Sequence, residues 1–188
     1  MRKSFGAKPL SYPLPVYIIG TYDEKGTPDA MNAAWGGISN DQEISFCLAR
    51  THKTVANLKA TGAFTVSIAV EAQLKACDHV GVVSGNKVPD KVAQAGLTPV
   101  KSTLVNAPLF QELPMALECK VLSYDEESER LVGEIVNVSA DESVLTDGGI
   151  DPAKLRPLVY DPANHTYLVA WETVGKAFQK PELTAVKK

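Results

Sequence analysis

Short segments whose large apolar side chains fall at every second position recur along this chain, and this two-residue period is the feature that most limits its fold. In residues 43–49, for example, Ile44, Phe46 and Leu48 alternate with small or polar residues. Successive side chains of a strand point to opposite faces of a sheet, so this pattern is typical of a half-buried strand. We therefore expect a chain dominated by β-strands.

Turn-forming residues connect several of these segments in pairs. Residues 23–26 (Asp-Glu-Lys-Gly) and 161–164 (Asp-Pro-Ala-Asn) have the composition of hairpin turns, and the acidic residues 125–129 form a longer loop that we expect to be solvated. Short connections of this kind indicate antiparallel neighbours. The expected strand pairs are 16–22 with a strand beginning near Pro28, 115–124 with 130–138, and 158–160 with 167–171.

A few segments have helical patterns, and all are short. We expect a helix that follows the hydroxyls of Thr51 and Thr54 and ends near Gly62, where glycine can adopt a left-handed cap. Two more are expected at residues 71–80 and 88–95. Six or more strands with hairpin connections favour an antiparallel barrel over a doubly wound sheet, which needs regularly alternating helices. The predicted fold class is α+β, mainly β.

Composition and charge narrow the range of functions. The 188 residues, 45% apolar and 22% charged, suit a single domain over residues 1–188, with a core at about 10–178 and a polar C-terminal tail. A net charge of −3 disfavours nucleic-acid binding. The sequence has neither a secretory signal nor about 20 consecutive apolar residues, the length of a membrane-spanning helix. We expect a cytoplasmic protein that binds neither nucleic acid nor membrane.

The sequence lacks the usual marks of metal, hydrolase and nucleotide-triphosphate sites. Cys47, Cys77 and Cys119 are widely spaced without a Cys-x-x-Cys pair, so we expect three reduced, buried thiols and no metal site. No Gly-x-Ser-x-Gly, Gly-x-Gly-x-x-Gly or Gly-x-x-x-x-Gly-Lys motif occurs. His79 and His165 stand alone, and we expect each to be a packed or surface histidine.

A candidate phosphate site lies at residues 50–54, where a strand is expected to end and a helix to begin. A helix N-terminus offers free backbone N–H groups and a favourable dipole. This sequence adds the cations of Arg50 and Lys53 and the hydroxyls of Thr51 and Thr54, a chemically complete set for one phosphate. The residues alone also allow an exposed loop with a threonine cap, a very common arrangement.

A second candidate segment is residues 32–37, Asn-Ala-Ala-Trp-Gly-Gly. Small side chains let a flat ring approach the backbone, and Trp35 could then wall that ring. The alternative is a strand running into a glycine-rich loop, with Trp35 as a core aromatic. Residues 84–86 (Ser-Gly-Asn), followed by Asp90 and Lys91, form a third polar loop that could touch a ligand, although such turns are common.

The order of these motifs resembles that of the flavin reductase-like proteins, and among them the flavoredoxin type. The matching segments include residues 15–23, 32–38, 50–58 and 62–66, and later residues 84–85, 96–100, 156–160 and 174–178, so the resemblance covers nearly the whole chain. It implies a split β-barrel with short peripheral helices. It also implies that the chain binds flavin mononucleotide (FMN) as a homodimer, with the site close to the subunit interface.

The same resemblance implies roles for individual residues, and it also has two local exceptions. Pro89 and Val92 depart from the family pattern near the substrate-facing rim; relatives commonly have phenylalanine at the position of Val92. The implied cofactor-binding residues are Asn32, Ala33, Ala34 and Trp35 along the isoalloxazine ring, Arg50, Thr51, Lys53 and Thr54 at the phosphate, Asn57 in support of that loop, and Ser84 and Gly85 from the helical insertion.

The implied activity is that of an FMN-dependent oxidoreductase. Because the flavin itself performs the hydride and one-electron steps, no catalytic acid or base is expected. NAD(P)H or a small redox protein would reduce the FMN, which would pass electrons to free flavin, a ferric complex or another carrier. Two alternatives remain: an FMN electron carrier that does not oxidise NAD(P)H, and a split-barrel module for haem or another planar ligand, for which no axial ligand stands out.

Overall fold

The computed structural model describes residues 1–169 and 172–178, and within them it contains fourteen strands and four α-helices. Two 3₁₀ turns lie at Glu71–Gln73 and Glu142–Val144. The helices are α1 (Lys53–Thr61), α2 (Leu74–Val82), α3 (Lys91–Gln94) and α4 (Pro152–Leu155). The strands are β1 (Leu14–Pro15), β2 (Tyr17–Tyr22), β3 (Pro28–Ala33), β4 (Gly36–Asn40), β5 (Glu43–Cys47), β6 (Ala63–Ile68), β7 (Pro99–Lys101), β8 (Pro108–Phe110), β9 (Met115–Asp125), β10 (Arg130–Ala140), β11 (Leu145–Thr146), β12 (Gly149–Ile150), β13 (Val159–Asp161) and β14 (Thr166–Leu168).

Seven strands form the main sheet, in the order β3-β2-β6-β9-β10-β5-β4, and every neighbouring pair is antiparallel. The two edge strands, β3 and β4, are separated in sequence by only Ala34 and Trp35. Three residue steps span at most about 10 Å, so the sheet must curl until its two edges meet here. The predicted mainly antiparallel split barrel is confirmed, and residues 34–35 lie at its seam.

The barrel interior holds one of the main apolar clusters. Ile44, Phe46 and Leu48 are buried, as their alternation predicted, and the ring of Phe46 meets that of Tyr17 edge to face at 5.5 Å between centroids. Val55 and Leu58 bring α1 onto the same cluster. Each such side chain stabilises the fold by about 1.5–3 kcal/mol. This packing holds the beginning of α1 at one end of the barrel.

A second apolar cluster joins α2 and α3 to the outside of the sheet. Cys77 and Val80 of α2 and Val92 of α3 pack with Ala30 of β3 and with Leu158 near the C-terminal hairpin. The loop between α2 and α3, residues 83–90, is thereby held next to β3 and to the beginning of α1. None of the helices in residues 1–169 and 172–178 combines the length and the apolar character needed to cross a bilayer.

Most predicted elements are present. The three hairpins form, and α1 ends at Gly62 with a left-handed φ of 69°. The helix expected at residues 88–95 is shorter, and α3 covers only Lys91–Gln94. Its start is delayed because Pro89 disfavours helical backbone at the residue before it. The sequence patterns missed the hairpins β7–β8 and β11–β12. Residues 170–171 of the last predicted strand and 179–188 of the predicted tail lie outside the described residues.

Candidate functional site

The beginning of α1 offers free backbone donors. His52 precedes the helix in an extended conformation (φ −70°, ψ 141°), and its carbonyl accepts from the N–H groups of Val55 and Ala56 at 3.1 and 3.4 Å. The N–H groups of Lys53 and Thr54 meet no acceptor in the described part of the chain. Exposed first-turn N–H groups and the helix dipole together attract an anion.

Two cations stand beside these donors. Arg50 is exposed, and its guanidinium forms no ion pair with any of the described residues. The Nζ of Lys53 lies 3.6 Å from Oδ2 of Asp23, and the side chain is 32% exposed. Backbone N–H groups of Thr27 and Lys25 hold the pKa of Asp23 below its ordinary value. Residues 50–54 therefore present two cations, of which Lys53 is partly balanced by Asp23.

The sequence predicted that the hydroxyl of Thr54 binds the phosphate, but in the structure this hydroxyl already has another partner. Its side chain is buried, and Oγ1 donates a 2.7 Å hydrogen bond to Oδ2 of Asp29, so the hydroxyl proton is already used. The group of Thr54 that remains free to donate is its backbone N–H. Thr51 is exposed, and its carbonyl accepts a 3.1 Å hydrogen bond from Nδ2 of Asn86.

Asn57 and the loop after α2 support this segment. Nδ2 of Asn57 donates to Oγ1 of Thr21 at 3.0 Å, a buried bond that fixes α1 to β2. A Cβ on Gly85 would stand 2.4 Å from Oδ1 of Asp29 and 3.3 Å from Cβ of Lys53, so only glycine allows this approach. Ser84, next to it, is exposed and lines the same cavity as Lys53 and Thr54. The structure thus brings Ser84 and Gly85 next to residues 53–54.

The acidic loop at residues 125–129 is not simply solvated. An oxygen of the Glu129 carboxylate accepts the backbone N–H of Arg50 at 2.9 Å. The Glu129 carbonyl also accepts the backbone N–H of Leu48 at 2.9 Å. The β9–β10 turn therefore shapes the segment that leads into α1; the expectation of a solvated loop holds for the exposed residues 125–128 and was wrong for Glu129.

The four residues expected along a ring do not all face the same way. Asn32 and Ala34 line the outer side of β3, whereas Ala33 is buried inside the barrel, because side chains alternate along a strand. Trp35 is 56% exposed, and residues 36–40 form β4. The alternative of a core tryptophan followed by a glycine-rich loop is therefore wrong. Trp35 is anchored through its carbonyl, which accepts the N–H of Cys47 at 2.9 Å.

A groove runs between β3 and α2. Two adjoining cavities share the residues Asn32, Gly81 and Val82. One, of about 260 Å³, is lined at its far end by Lys53 and Thr54. The other, of about 380 Å³, is lined by Ala34, Asp78, Tyr160, His165 and Tyr167. The groove thus connects the predicted phosphate segment with two of the residues predicted to lie along a ring.

Gly81 sets the width of this groove. A Cβ at Gly81 would stand 2.7 Å from Cβ of Asn32, so α2 can approach β3 this closely only with glycine there. Nδ2 of Asn32 in turn donates to the Cys77 carbonyl at 3.2 Å, which holds the same two elements together. This hydrogen bond and the close contact between Gly81 and Asn32 hold α2 against β3 and so form the wall of the groove.

The aromatic end of the groove contains polar pairs that the sequence motifs did not reveal. Tyr167 Oη donates to Oδ1 of Asp78 at 2.8 Å, and burial together with this carboxylate raises the pKa of Tyr167. Tyr160 Oη and Nδ1 of the exposed His165 lie 2.8 Å apart. The β13–β14 hairpin brings these residues to α2, and no spacing in the sequence indicates that long-range contact.

The three cysteines divide into two kinds. Cys77 and Cys119 are buried, and burial raises the pKa of each thiol to about 12. Cys47 is exposed, so the expectation of three buried thiols was wrong for this one. It follows Phe46 in β5, and the residue after an inward-facing side chain points outward.

This split barrel, with an anion-attracting helix N-terminus at one end of a preformed groove, has the architecture of a flavin-dependent redox protein. The family model described as "Flavin reductase like domain" matches residues 10–167. The chain belongs to the flavin reductase-like family, as its sequence motifs predicted.

Solved structures share this fold. Flavoredoxin of Desulfovibrio vulgaris (Miyazaki F) is 39% identical with a TM-score of 0.91, covering 96% of this chain and 99% of that one. Flavoredoxin from Methanosarcina acetivorans is 24% identical with a TM-score of 0.83, covering 96% of both chains. The FMN-binding protein from Thermus thermophilus is 23% identical with a TM-score of 0.73, covering 94% of this chain and 100% of that one, and shares the fold.

A curated relative matches only part of this chain. An uncharacterized protein of Halalkalibacterium halodurans is 31% identical in a 116-residue alignment, which covers 56% of this chain and 54% of that protein. The match therefore spans about half the length of that relative.

Proposed function

We propose that this chain binds FMN in the groove between β3 and α2 and acts as an oxidoreductase of the flavin reductase or flavoredoxin type. Electrons would pass from NAD(P)H or a small redox protein, through FMN, to free flavin, a ferric complex or another carrier. The observation that carries the proposal is the pair of free N–H groups at Lys53 and Thr54, which stand at one end of two adjoining cavities of about 260 and 380 Å³.

The donor set fits a phosphate monoester. The backbone N–H groups of Lys53 and Thr54 and the side chains of Arg50 and Lys53 would hold the phosphate, with Thr51 alongside. The ring would then lie along Asn32 and Ala34, near the seam of the barrel. The similarity to flavoredoxin at 39% identity supports the binding of a flavin, and the orientation rests on the position of the free N–H groups.

Bound FMN supplies the hydride and one-electron chemistry, and the protein supplies binding, orientation and access. Arg50 and Lys53 would compensate the phosphate charge, and Gly81 would let the wall of α2 approach the ring closely. Tyr160 and Tyr167, which line the same cavity as Ala34, would border the ring on the side from which a reaction partner approaches.

We further propose a homodimer, assembled over the face that carries Trp35. Trp35 and Ile38 line one shallow depression and are 56% and 65% exposed. Exposed apolar side chains of this kind often mark a protein interface. The molar mass in solution tests the proposal: we expect twice the 20.2 kDa of one chain, and a monomer at micromolar concentration would contradict it.

Rapid mixing of the FMN-loaded protein with NADH and with NADPH tests the enzymatic part. Fast bleaching of the bound-flavin absorption by either nucleotide is the expected result, with free FMN as the control. If dithionite bleaches the flavin and neither nucleotide does, the protein is an electron carrier and the NAD(P)H-dependent activity is wrong.

A further inference from the structure

A buried ion pair lies directly behind the proposed phosphate site. Nζ of Lys91 is 3.3 Å from Oδ1 of Asp29, and the two side chains are only 4% and 5% exposed. Nζ also donates to the carbonyls of Val80 and Val83 at 3.1 and 3.0 Å. Removing two charges from water is costly, and an apolar pair of the same volume often stabilises a fold as well. General stability therefore gives little reason for this pair.

Asp29 lies close both to the phosphate segment and to Gly85 in the loop after α2. Its Oδ2 accepts the hydroxyl of Thr54 at 2.7 Å, and this bond fixes the first turn of α1 against β3. Its Oδ1 lies 2.4 Å from the position that a Cβ on Gly85 would take. The carboxylate and Lys53 also line a third cavity, of about 360 Å³, next to the groove residue Gly85. A full negative charge therefore lies one side chain away from donors that are to hold a phosphate.

An uncompensated carboxylate at this position would oppose phosphate binding. Charges inside a protein are screened far less than charges in water, so the repulsion between Asp29 and a phosphate would be strong. Lys91 approaches Asp29 from α3 and lines the phosphate end of the groove. Through the Val80 and Val83 carbonyls it also fixes the end of α2, from which the loop with Ser84 and Gly85 begins.

We propose that Asp29 and Lys91 are positioning residues for the phosphate of the bound nucleotide. Asp29 orients Thr54 and the first turn of α1, and Lys91 is the fixed counter-ion that prevents Asp29 from repelling the phosphate. This inference rests on the proposed FMN binding. It predicts that removal of Lys91 harms binding of a phosphorylated flavin much more than binding of the same ring system without phosphate.

Titrations with FMN and with riboflavin, which lacks the phosphate, test the proposal. The measured quantity is the preference for FMN, the ratio of the two affinities. We expect Lys91→Met to reduce this preference at least about tenfold, because Asp29 then lacks its counter-ion. Adding Asp29→Asn to Lys91→Met should restore most of the preference, since asparagine still accepts from Thr54 without carrying the charge.

A purely structural role predicts a different pattern. The single variant would then weaken both flavins equally, and the ratio would stay at the wild-type value, which would overturn the proposal. If Lys91→Met does not fold, Asp29→Asn decides. Its preference for FMN should exceed that of the wild type, because Lys91 is then no longer neutralised by Asp29, and an unchanged or lower preference would overturn the proposal.

The same titrations separate this inference from the function on which it rests. A wild-type protein that binds no FMN contradicts the proposed function itself. A wild-type protein that prefers FMN, together with a folded Lys91→Met variant that keeps the full preference, contradicts only the role of Asp29 and Lys91.

Discussion

The backbone N–H of Arg50 donates a 2.9 Å hydrogen bond to the carboxylate of Glu129, in the turn between β9 and β10. Glu129 adopts a left-handed φ of 56° and also accepts the N–H of Leu48 through its carbonyl. The segment that is to bind phosphate is therefore shaped at one end by α1 and at the other by a distant hairpin.

Glu129→Ala should weaken FMN binding by about 1 kcal/mol relative to Glu129→Gln, because alanine leaves the Arg50 N–H without its acceptor whereas glutamine can replace it. The two variants carry the same charge, so the difference isolates the hydrogen bond. Quenching of flavin fluorescence during titration measures both affinities. Equal affinities for the two variants would show that the hairpin does not support the phosphate segment.

Arg50→Ala combined with Lys53→Ala should weaken FMN binding by several kcal/mol, since charge-assisted contacts contribute about 1.5–3 kcal/mol each. Riboflavin affinity should change little. Lys59→Ala is a matched control, because Lys59 lies at the other end of α1 and pairs with Glu126. Unchanged FMN affinity in the double variant would place the phosphate elsewhere.

Gly36→Ala should lower the free energy of unfolding by about 1–3 kcal/mol, because a Cβ there would stand 2.2 Å from Cδ1 of Phe46 in the barrel core. Gly37→Ala is the control, since a Cβ at Gly37 meets nothing within 4 Å. Urea denaturation of the two variants measures the difference. Equal stabilities would contradict the tight closure of β4 on β5 beside the seam.

Asp161 should make the free energy of unfolding depend on pH in the acidic range. Hydrogen bonds, first from Tyr12 and then from Asn164, lower the pKa of Asp161 from 3.8 to about 2. A lowered folded-state pKa stabilises the fold above the unfolded-state value and loses this effect as the pH falls. The stability advantage of the wild type over Asp161→Asn should therefore be largest above about pH 4 and shrink towards pH 2. Thermal melts of the two proteins across this pH range measure the advantage. A stability difference that stayed constant with pH would contradict the role of Asp161.

The strands could be predicted because their information is local. Ile44, Phe46 and Leu48 alternate in the sequence and are all buried in the structure. The closure of the sheet could not be derived from local patterns, because nothing in Ala34 and Trp35 indicates that they join the two edges of a seven-stranded sheet. The resemblance to the flavin reductase-like family predicted the split barrel, whereas the two-residue period and the hairpins only favoured an antiparallel barrel.

The site could be predicted only in part for the same reason. Residues 50–54 combine recognisable chemistry with a helix start, and the structure gives them free donors. Asp29 is a single polar residue in a strand, and Lys91 follows a loop interrupted by Pro89, so neither indicated a buried ion pair. Their contact depends on α2 and α3 packing against β3, which no short segment encodes.

The absorption spectrum of the purified protein during titration with FMN tests the central claim most directly. The groove and the free N–H groups at Lys53 and Thr54 predict a yellow protein with the bands of oxidised flavin, and saturation at one FMN per chain. Under the same conditions Arg50→Ala with Lys53→Ala should saturate only at much higher FMN concentrations. A colourless protein whose spectrum with FMN is that of the free cofactor would contradict the proposed function.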